Sequence, residues 1–221
     1  MKSALPKVLH KIGGRPMLAH ILAAAKALGA TRTVVVTSAG AEAVAALARD
    51  WGAETAVQEK QLGTGHAVLA AEAALKGFDG HLLVLYGDAP LIKVDTLQRL
   101  VVGAGAGLSA LGFRAANPTG YGRMIAKGVR LLRIVEEKDA SYEEKRVDLC
   151  FAGPLAGPAK KIFEFLHRVG NRNAQGEFYL TDVFAIAGSA GMHTTIVEGT
   201  ESEMQGVNSR AQLADAEVAF Q

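Results

Sequence analysis

The residue best placed for chemistry is Asp88, in Leu82-Leu83-Val84-Leu85-Tyr86-Gly87-Asp88-Ala89-Pro90-Leu91. Four consecutive apolar residues bounded by turn formers read as a strand covered on both faces. The chain must turn where the carboxylate appears, and open parallel sheets bind ligands at the carboxyl ends of their strands. Asp88 therefore stands where a metal or polar substrate would be held, although aspartate also suits a turn or a helix cap. Asn208, in Gly206-Val207-Asn208-Ser209, can offer an amide oxygen to a hard cation, or simply make a turn. Magnesium is usually held by one or two protein oxygens plus phosphates, so Asp88 with Asn208 would suffice. Lys7, after Pro6, is a compact charge suited to phosphate, or a solvated lysine. The stretch Gln58 to Ala67, with Gly63-Thr64-Gly65-His66 at its centre, joins a strand to a helix. Its glycines allow a flat base to approach the backbone, and its helix start exposes N–H groups. A plain glycine turn with Thr64 as N-cap fits the same residues.

Other chemistries find no support. The single cysteine, Cys150, lies in an apolar run and excludes an intramolecular disulfide or a cysteine-rich zinc site. No Ser/His/Asp or Cys/His arrangement stands out. The net charge is +2 without a long basic run, so neither nucleic acid nor a membrane surface is expected as a partner. No apolar stretch approaches about 18 residues, and residues 1–6 carry no signal-peptide pattern. The cytoplasm is the default compartment. Gly103-Ala104-Gly105-Ala106-Gly107 looks like part of a dinucleotide fingerprint, but it follows a helix where that motif needs a strand. It reads as a flexible connection, and a nicotinamide-dependent dehydrogenase is set aside.

The elements that must carry these residues alternate. Pro16 opens a helix over 17–28 that Gly29 stops. Strands are expected over 33–37, 54–58, 82–86 and 108–113, with helices over 41–49, 65–75 and 94–102 between them. This alternation implies a doubly wound α/β sheet, mostly parallel. A hairpin around Lys127-Gly128 follows (124–126 and 131–135), and the mixed charges of 136–146 read largely as a solvated face. A strand over 147–155, helices over 159–169 and 180–190, a strand over 194–197 and a helix capped by Ser209 complete the chain. Its 221 residues fit one domain.

Seven stretches in this order resemble one family. They are Leu5-Pro6-Lys7-Val8-Leu9-His10, Gln58 with Gln61 to Ala67, Tyr86 to Leu91, and Asn117 to Arg123. Ile134-Val135-Glu136 with Lys138-Asp139-Ala140, Gly176 to Asp182, and Gly206 to Arg210 complete the set. Together they resemble the uridylyltransferase domain of the bacterial bifunctional N-acetylglucosamine-1-phosphate uridylyltransferases. The resemblance implies a Rossmann-like three-layer α/β/α nucleotidyltransferase fold. It also implies magnesium-dependent transfer of uridylyl from UTP to N-acetylglucosamine 1-phosphate, with UDP-N-acetylglucosamine and pyrophosphate as products. By the same resemblance Asp88 and Asn208 hold magnesium, Lys7 neutralises phosphate, and Gln58, Gly63 and Thr64 read uracil. Gly122, Glu136, Tyr179 and Thr181 line the sugar pocket, and Tyr86 and Gly87 join Asp88 in contacting substrate.

Three departures from the family pattern carry expectations. The chain starts after the family's first strand and glycine-rich phosphate loop, so strand 82–86 is expected to lack one neighbour and turnover to be impaired. Phe151-Ala152-Gly153 stands where the family has Asn-Thr-Gly or Asn-Ser-Gly, and a phenyl ring cannot make the amide's hydrogen bonds. The family's C-terminal left-handed β-helix lies outside the sequence. A non-catalytic sugar-nucleotide-binding remnant of the same fold is the alternative to an enzyme.

Overall fold

The computed structural model describes Ser3 and residues 5–220. A 3-10 turn, Lys7–Leu9, leads into a two-residue hairpin, β1 (Lys11–Ile12) and β2 (Arg15–Pro16). Pro16 then starts α1 (Met17–Ala27), and Gly29 ends it with a positive φ of 76°. Next come β3 (Val34–Ser38), α2 (Glu42–Asp50), β4 (Glu54–Gln58), α3 (Thr64–Ala70), β5 (His81–Val84), α4 (Val94–Ala104) and β6 (Leu108–Arg114). The second half holds the hairpin β7 (Arg123–Lys127) and β8 (Arg130–Val135), then α5 (Tyr142–Lys145) and β9 (Leu149–Pro158). It closes with α6 (Ala159–Leu166), α7 (Asp182–Ser189), β10 (Thr194–Glu198) and α8 (Arg210–Phe220).

Six strands form the main sheet in the order β5-β9-β6-β10-β8-β7. Side chains alternate across it as the apolar run at 82–85 demands. Leu82 and Val84 pack with α6 and α7 residues such as Ile162, Phe163 and Phe184. Leu83 and Leu85 pack on the opposite side with Leu97 and Leu100 of α4. β6 is buried at every position but Arg114, because helices cover both of its faces. The three layers expected from the sequence are therefore present.

The expectation of a mostly parallel sheet is corrected. β5, β6 and β10 run the same way, but β9 lies antiparallel between β5 and β6. An apolar strand buried on both faces has the same residue pattern in either direction, so periodicity cannot tell them apart. β3 and β4 form a separate parallel pair, in register from Val34↔Glu54 to Ser38↔Gln58. Among the described residues β5 pairs only with β9, so its other edge has no strand beside it.

The glycines after α4 are also not the flexible connection expected. α4 continues to Ala104, and a Cβ on Gly107 would stand 2.1 Å from the His193 carbonyl oxygen. That close approach, with Leu108 N–H donating to the same oxygen at 2.9 Å, locks the entry to β6. Among the described residues no helix is long and apolar enough to cross a membrane.

Candidate functional site

Lys7 and Asp88 meet where the sequence places its chemistry. The Lys7 ammonium donates to Asp88 Oδ2 at 2.5 Å and to Asn208 Oδ1 at 2.8 Å. Three segments far apart in sequence make this possible. The 3-10 turn brings Lys7 up, and a Cβ on Gly87 would already touch Val8 Cγ1 at 3.2 Å, so this pairing of segments suits glycine. Val207 N–H donates to the Asp88 carbonyl at 2.8 Å, which ties the closing segment to the end of β5. Gln212 Oε1 accepts the N–H groups of Asn208 (2.8 Å) and Ser209 (3.0 Å), while Gln212 N–H donates to Ser209 Oγ (3.1 Å). Ser209 is thus the expected cap of α8, and the cap fixes the backbone of Asn208.

A second group surrounds the start of α3. Gly63 has φ 113°, and a Cβ there would lie 2.7 Å from the Phe178 carbonyl oxygen, so only glycine fits. Gly65 N–H donates to that carbonyl (2.8 Å), and Phe178 N–H donates to Leu62 O (2.8 Å). Gln58 Nε2 bridges Gly63 O (3.1 Å) and His66 Nδ1 (3.0 Å). The Thr64 hydroxyl accepts from Leu180 N–H at 3.0 Å and caps no N–H of its own helix, whose N-cap is Gly63. Loop 62–65 is thereby fastened to the segment 178–180.

The remaining residues extend from this junction. Thr181 Oγ1 donates to Glu136 Oε1 (3.0 Å), and Tyr179 OH donates to Asp139 Oδ2 (3.1 Å). A Cβ on Gly122 would lie 3.5 Å from Glu136 Oε2. Burial pushes the Glu136 carboxyl above its usual range. The Thr181 hydrogen bond opposes this, and repulsion from Asp182, Asp139 and Glu177 adds to it. Tyr86 joins the two groups. Burial drives its phenol well above the ordinary range, with Glu136 and Asp88 adding and a Thr64 hydrogen bond opposing. The phenol therefore keeps its proton at neutral pH. Gly153 has φ 111°, and a Cβ there would lie 2.8 Å from the Tyr86 ring.

All the sequence-predicted residues thus gather in two linked groups, Lys7, Gly87, Asp88 and Asn208 on one side, and Gln58, Gly63, Thr64, Gly122, Glu136, Tyr179 and Thr181 on the other, with Tyr86 between them. His66, Asp139, Gly153 and Asp182 belong to the same region and were given no site role from the sequence. His66 and Gly153 adjoin expected residues, whereas Asp139 lies in the charge run 136–146, which is mostly exposed, as its reading as a solvated face expects. Phe151 is buried, its ring 6.3 Å from Phe184 and nearly perpendicular to it, and its N–H donates to Gly122 O at 2.8 Å. A separate depression of about 510 Å³ between α1 and residues 90–95, lined by His20, Ala24 and Ile92 among others, contains none of these residues.

Among the described residues no three His, Cys, Asp or Glu side chains gather as a metal site. Asp88 Oδ2 and Asn208 Oδ1 converge on one ammonium at 2.5 and 2.8 Å; to share one hard cation at about 2.1 Å from each they must lie within about 4.2 Å of each other. Carboxylate and amide oxygens are donors that suit magnesium, and phosphates complete its shell in nucleotide sites.

The family model of the MobA-like NTP transferase domain matches residues 1–146, and the chain belongs to that family. It is 49% identical over 225 residues to the "Bifunctional protein GlmU" of Parvibaculum lavamentivorans, covering all of this chain and 50% of that protein. A second "Bifunctional protein GlmU", from Ruegeria pomeroyi, is 50% identical over 224 residues, again with half of its length covered. The chain thus spans about half the length of these curated relatives. In fold it is similar to the nucleoside-diphosphate-sugar pyrophosphorylase of Vibrio cholerae RC9, with a TM-score of 0.75 at 13% identity, covering 98% of this chain and 93% of that one.

Proposed function

We propose that this cleft transfers uridylyl from UTP to N-acetylglucosamine 1-phosphate, with magnesium, giving UDP-N-acetylglucosamine and pyrophosphate. The observation that carries the reading is the meeting of Lys7, Asp88 and Asn208 at the end of β5. The near 50% identity to proteins named GlmU supports it.

In this reaction a phosphate oxygen of the sugar phosphate attacks the α-phosphorus of UTP, and the bond to pyrophosphate breaks. Such chemistry asks the protein for positioning and charge neutralisation. Lys7 supplies one positive charge to the phosphates. Asp88 and Asn208 would hold magnesium, which supplies Lewis-acid neutralisation of phosphate oxygens when bound. The base lies against the glycine backbone at 63, where Gln58 and Thr64 discriminate its edge. Gly122 leaves room for the sugar beside Glu136, Tyr179 and Thr181. Tyr86, held protonated, offers a hydrogen-bond donor between the two halves.

Pyrophosphate release from UTP and N-acetylglucosamine 1-phosphate with magnesium tests this, with glucose 1-phosphate and TTP as competing substrates. The expected result is release that prefers UTP and the N-acetylated sugar and is lost in Asp88→Asn. Binding of UDP-N-acetylglucosamine without any release would refute catalysis and leave a binding protein.

A further inference from the structure

Arg123 ends the loop 117–123 and is the largest fully buried side chain among the described residues, with 1% of its surface exposed. An arginine cannot shed its charge, so such burial requires partners. Its guanidinium meets Glu137 Oε2 at 2.7 Å and donates to the carbonyls of Tyr121 and, at 3.4 Å, Lys145. The same Glu137 oxygen accepts the Gly120 N–H at 3.3 Å. Partial burial raises the Glu137 carboxyl, but the hydrogen bonds from Arg123 and Gly120 N–H outweigh it and hold the group below the usual range.

The geometry divides two neighbouring carboxylates between two tasks. Glu136 faces Thr181 and the space beside Gly122, while Glu137 faces Arg123. Loop residues 120–122 lie between them, held at the Gly120 N–H, the Tyr121 carbonyl and the Gly122 carbonyl. Tyr121 is steadied further by its edge contact with Phe113, at 5.0 Å between ring centres. The distance from Gly122 to Glu136 is therefore set from behind, by groups outside the cleft.

We propose that buried Arg123 and partly buried Glu137 are a positioning pair that fixes the Gly120–Gly122 backbone against Glu136 and so sets the affinity for the sugar phosphate without touching it. This rests on the reading above, in which Gly122 and Glu136 face the sugar. Neither side chain reaches the Lys7–Asp88–Asn208 group, so nucleotide and metal requirements are not its concern.

The test uses Glu137→Ala and Glu137→Gln at a position that is only partly buried, with Arg123→Lys as a third variant. In Glu137→Ala the KM for N-acetylglucosamine 1-phosphate should rise about tenfold, equivalent to about 1.4 kcal/mol. KM for UTP and kcat should stay within about twofold of the wild type, well inside one such tenfold step. Glu137→Gln keeps an acceptor for Arg123 and Gly120 and should recover most of the loss, and Arg123→Lys, which loses the fork, should resemble Glu137→Ala. Amide exchange at 120–122 should speed up in Glu137→Ala. Faster exchange with an unchanged sugar-phosphate KM would overturn the proposal, as would an equal rise in both KM values. If the wild type does not turn over, the uridylyltransferase reading falls separately. The pair then stands on faster exchange at 120–122 in Glu137→Ala, and unchanged exchange overturns it.

Discussion

Replacing Lys7 by methionine separates two roles that the proposed function gives to one ammonium group. In the structure Lys7 occupies the space between Asp88 Oδ2 and Asn208 Oδ1, at 2.5 and 2.8 Å. A divalent cation seeking both oxygens must displace it, so under the proposed function the lysine competes with the metal before it serves the phosphates. The Lys7 side chain is 37% exposed and that of Asp88 22%, so water screens the pair. Exposed pairs contribute at most about 1 kcal/mol, and losing the competitor should tighten cation binding about fivefold. The assay is titration of Mn²⁺ into nucleotide-free protein, with free Mn²⁺ followed by electron paramagnetic resonance. Lys7→Met should bind more tightly, and Lys7→Arg, which keeps a charge, should not. Turnover should move the opposite way, down by about 10²–10³, as for loss of a positioned donor. Equal or weaker Mn²⁺ binding by Lys7→Met would refute the competition.

Other substitutions test the cleft's backbone and its acids. Gly63→Ala places a Cβ 2.7 Å from a carbonyl oxygen at φ 113° and should cost about 2–3 kcal/mol, read as a lower denaturation midpoint; an unchanged midpoint would contradict it. Because burial raises the Glu136 carboxyl above its ordinary 4.5, the folded state keeps a proton that the unfolded chain has lost. Stability therefore falls as pH rises from that ordinary value to the raised one, and the deficit persists above it. Glu136→Gln keeps an acceptor for Thr181 and should be more stable than the wild type at pH 8 but not at pH 4; a gap that does not widen with pH would refute this. Cys150 is fully buried and burial lifts its thiol to about 11, so a disulfide reagent at pH 8 should modify it only after denaturant unfolds the chain.

Local signals were legible where one physical rule governs a segment. Strand β4, Glu54–Gln58, has the bounds expected, and the Pro16 and Gly29 limits of α1 hold to within a residue or two. The strand expected over 82–86 runs over His81–Val84, where its pairing with β9 ends at Val84↔Leu155. What a segment's own residues cannot express is its partner. The reversed direction of β9 follows from the β7–β8 hairpin carrying the chain back across the sheet, not from anything in Leu149–Pro158. Arg123 reads as a surface residue in isolation and is buried only because Glu137 and two carbonyls receive it. The cleft came from the resemblance: Lys7 and Asn208 are 201 positions apart, and no spacing rule spans that distance.

That separation has a consequence for synthesis. Asp88 can complete its set of neighbours only after Asn208 and its capping glutamine have left the ribosome. At about 5–20 residues per second, the interval after Lys7 emerges is on the order of 10–40 s. During it the α/β layers can form, but the cluster at the end of β5 is still a lysine beside one aspartate. Contact between the two ends of the chain, Val207 with Asp88 and Glu217 with the Gly13 N–H, is then the closing event. A nascent chain stalled before residue 208 can have its layers assembled and still lacks the Asn208 partner of Lys7.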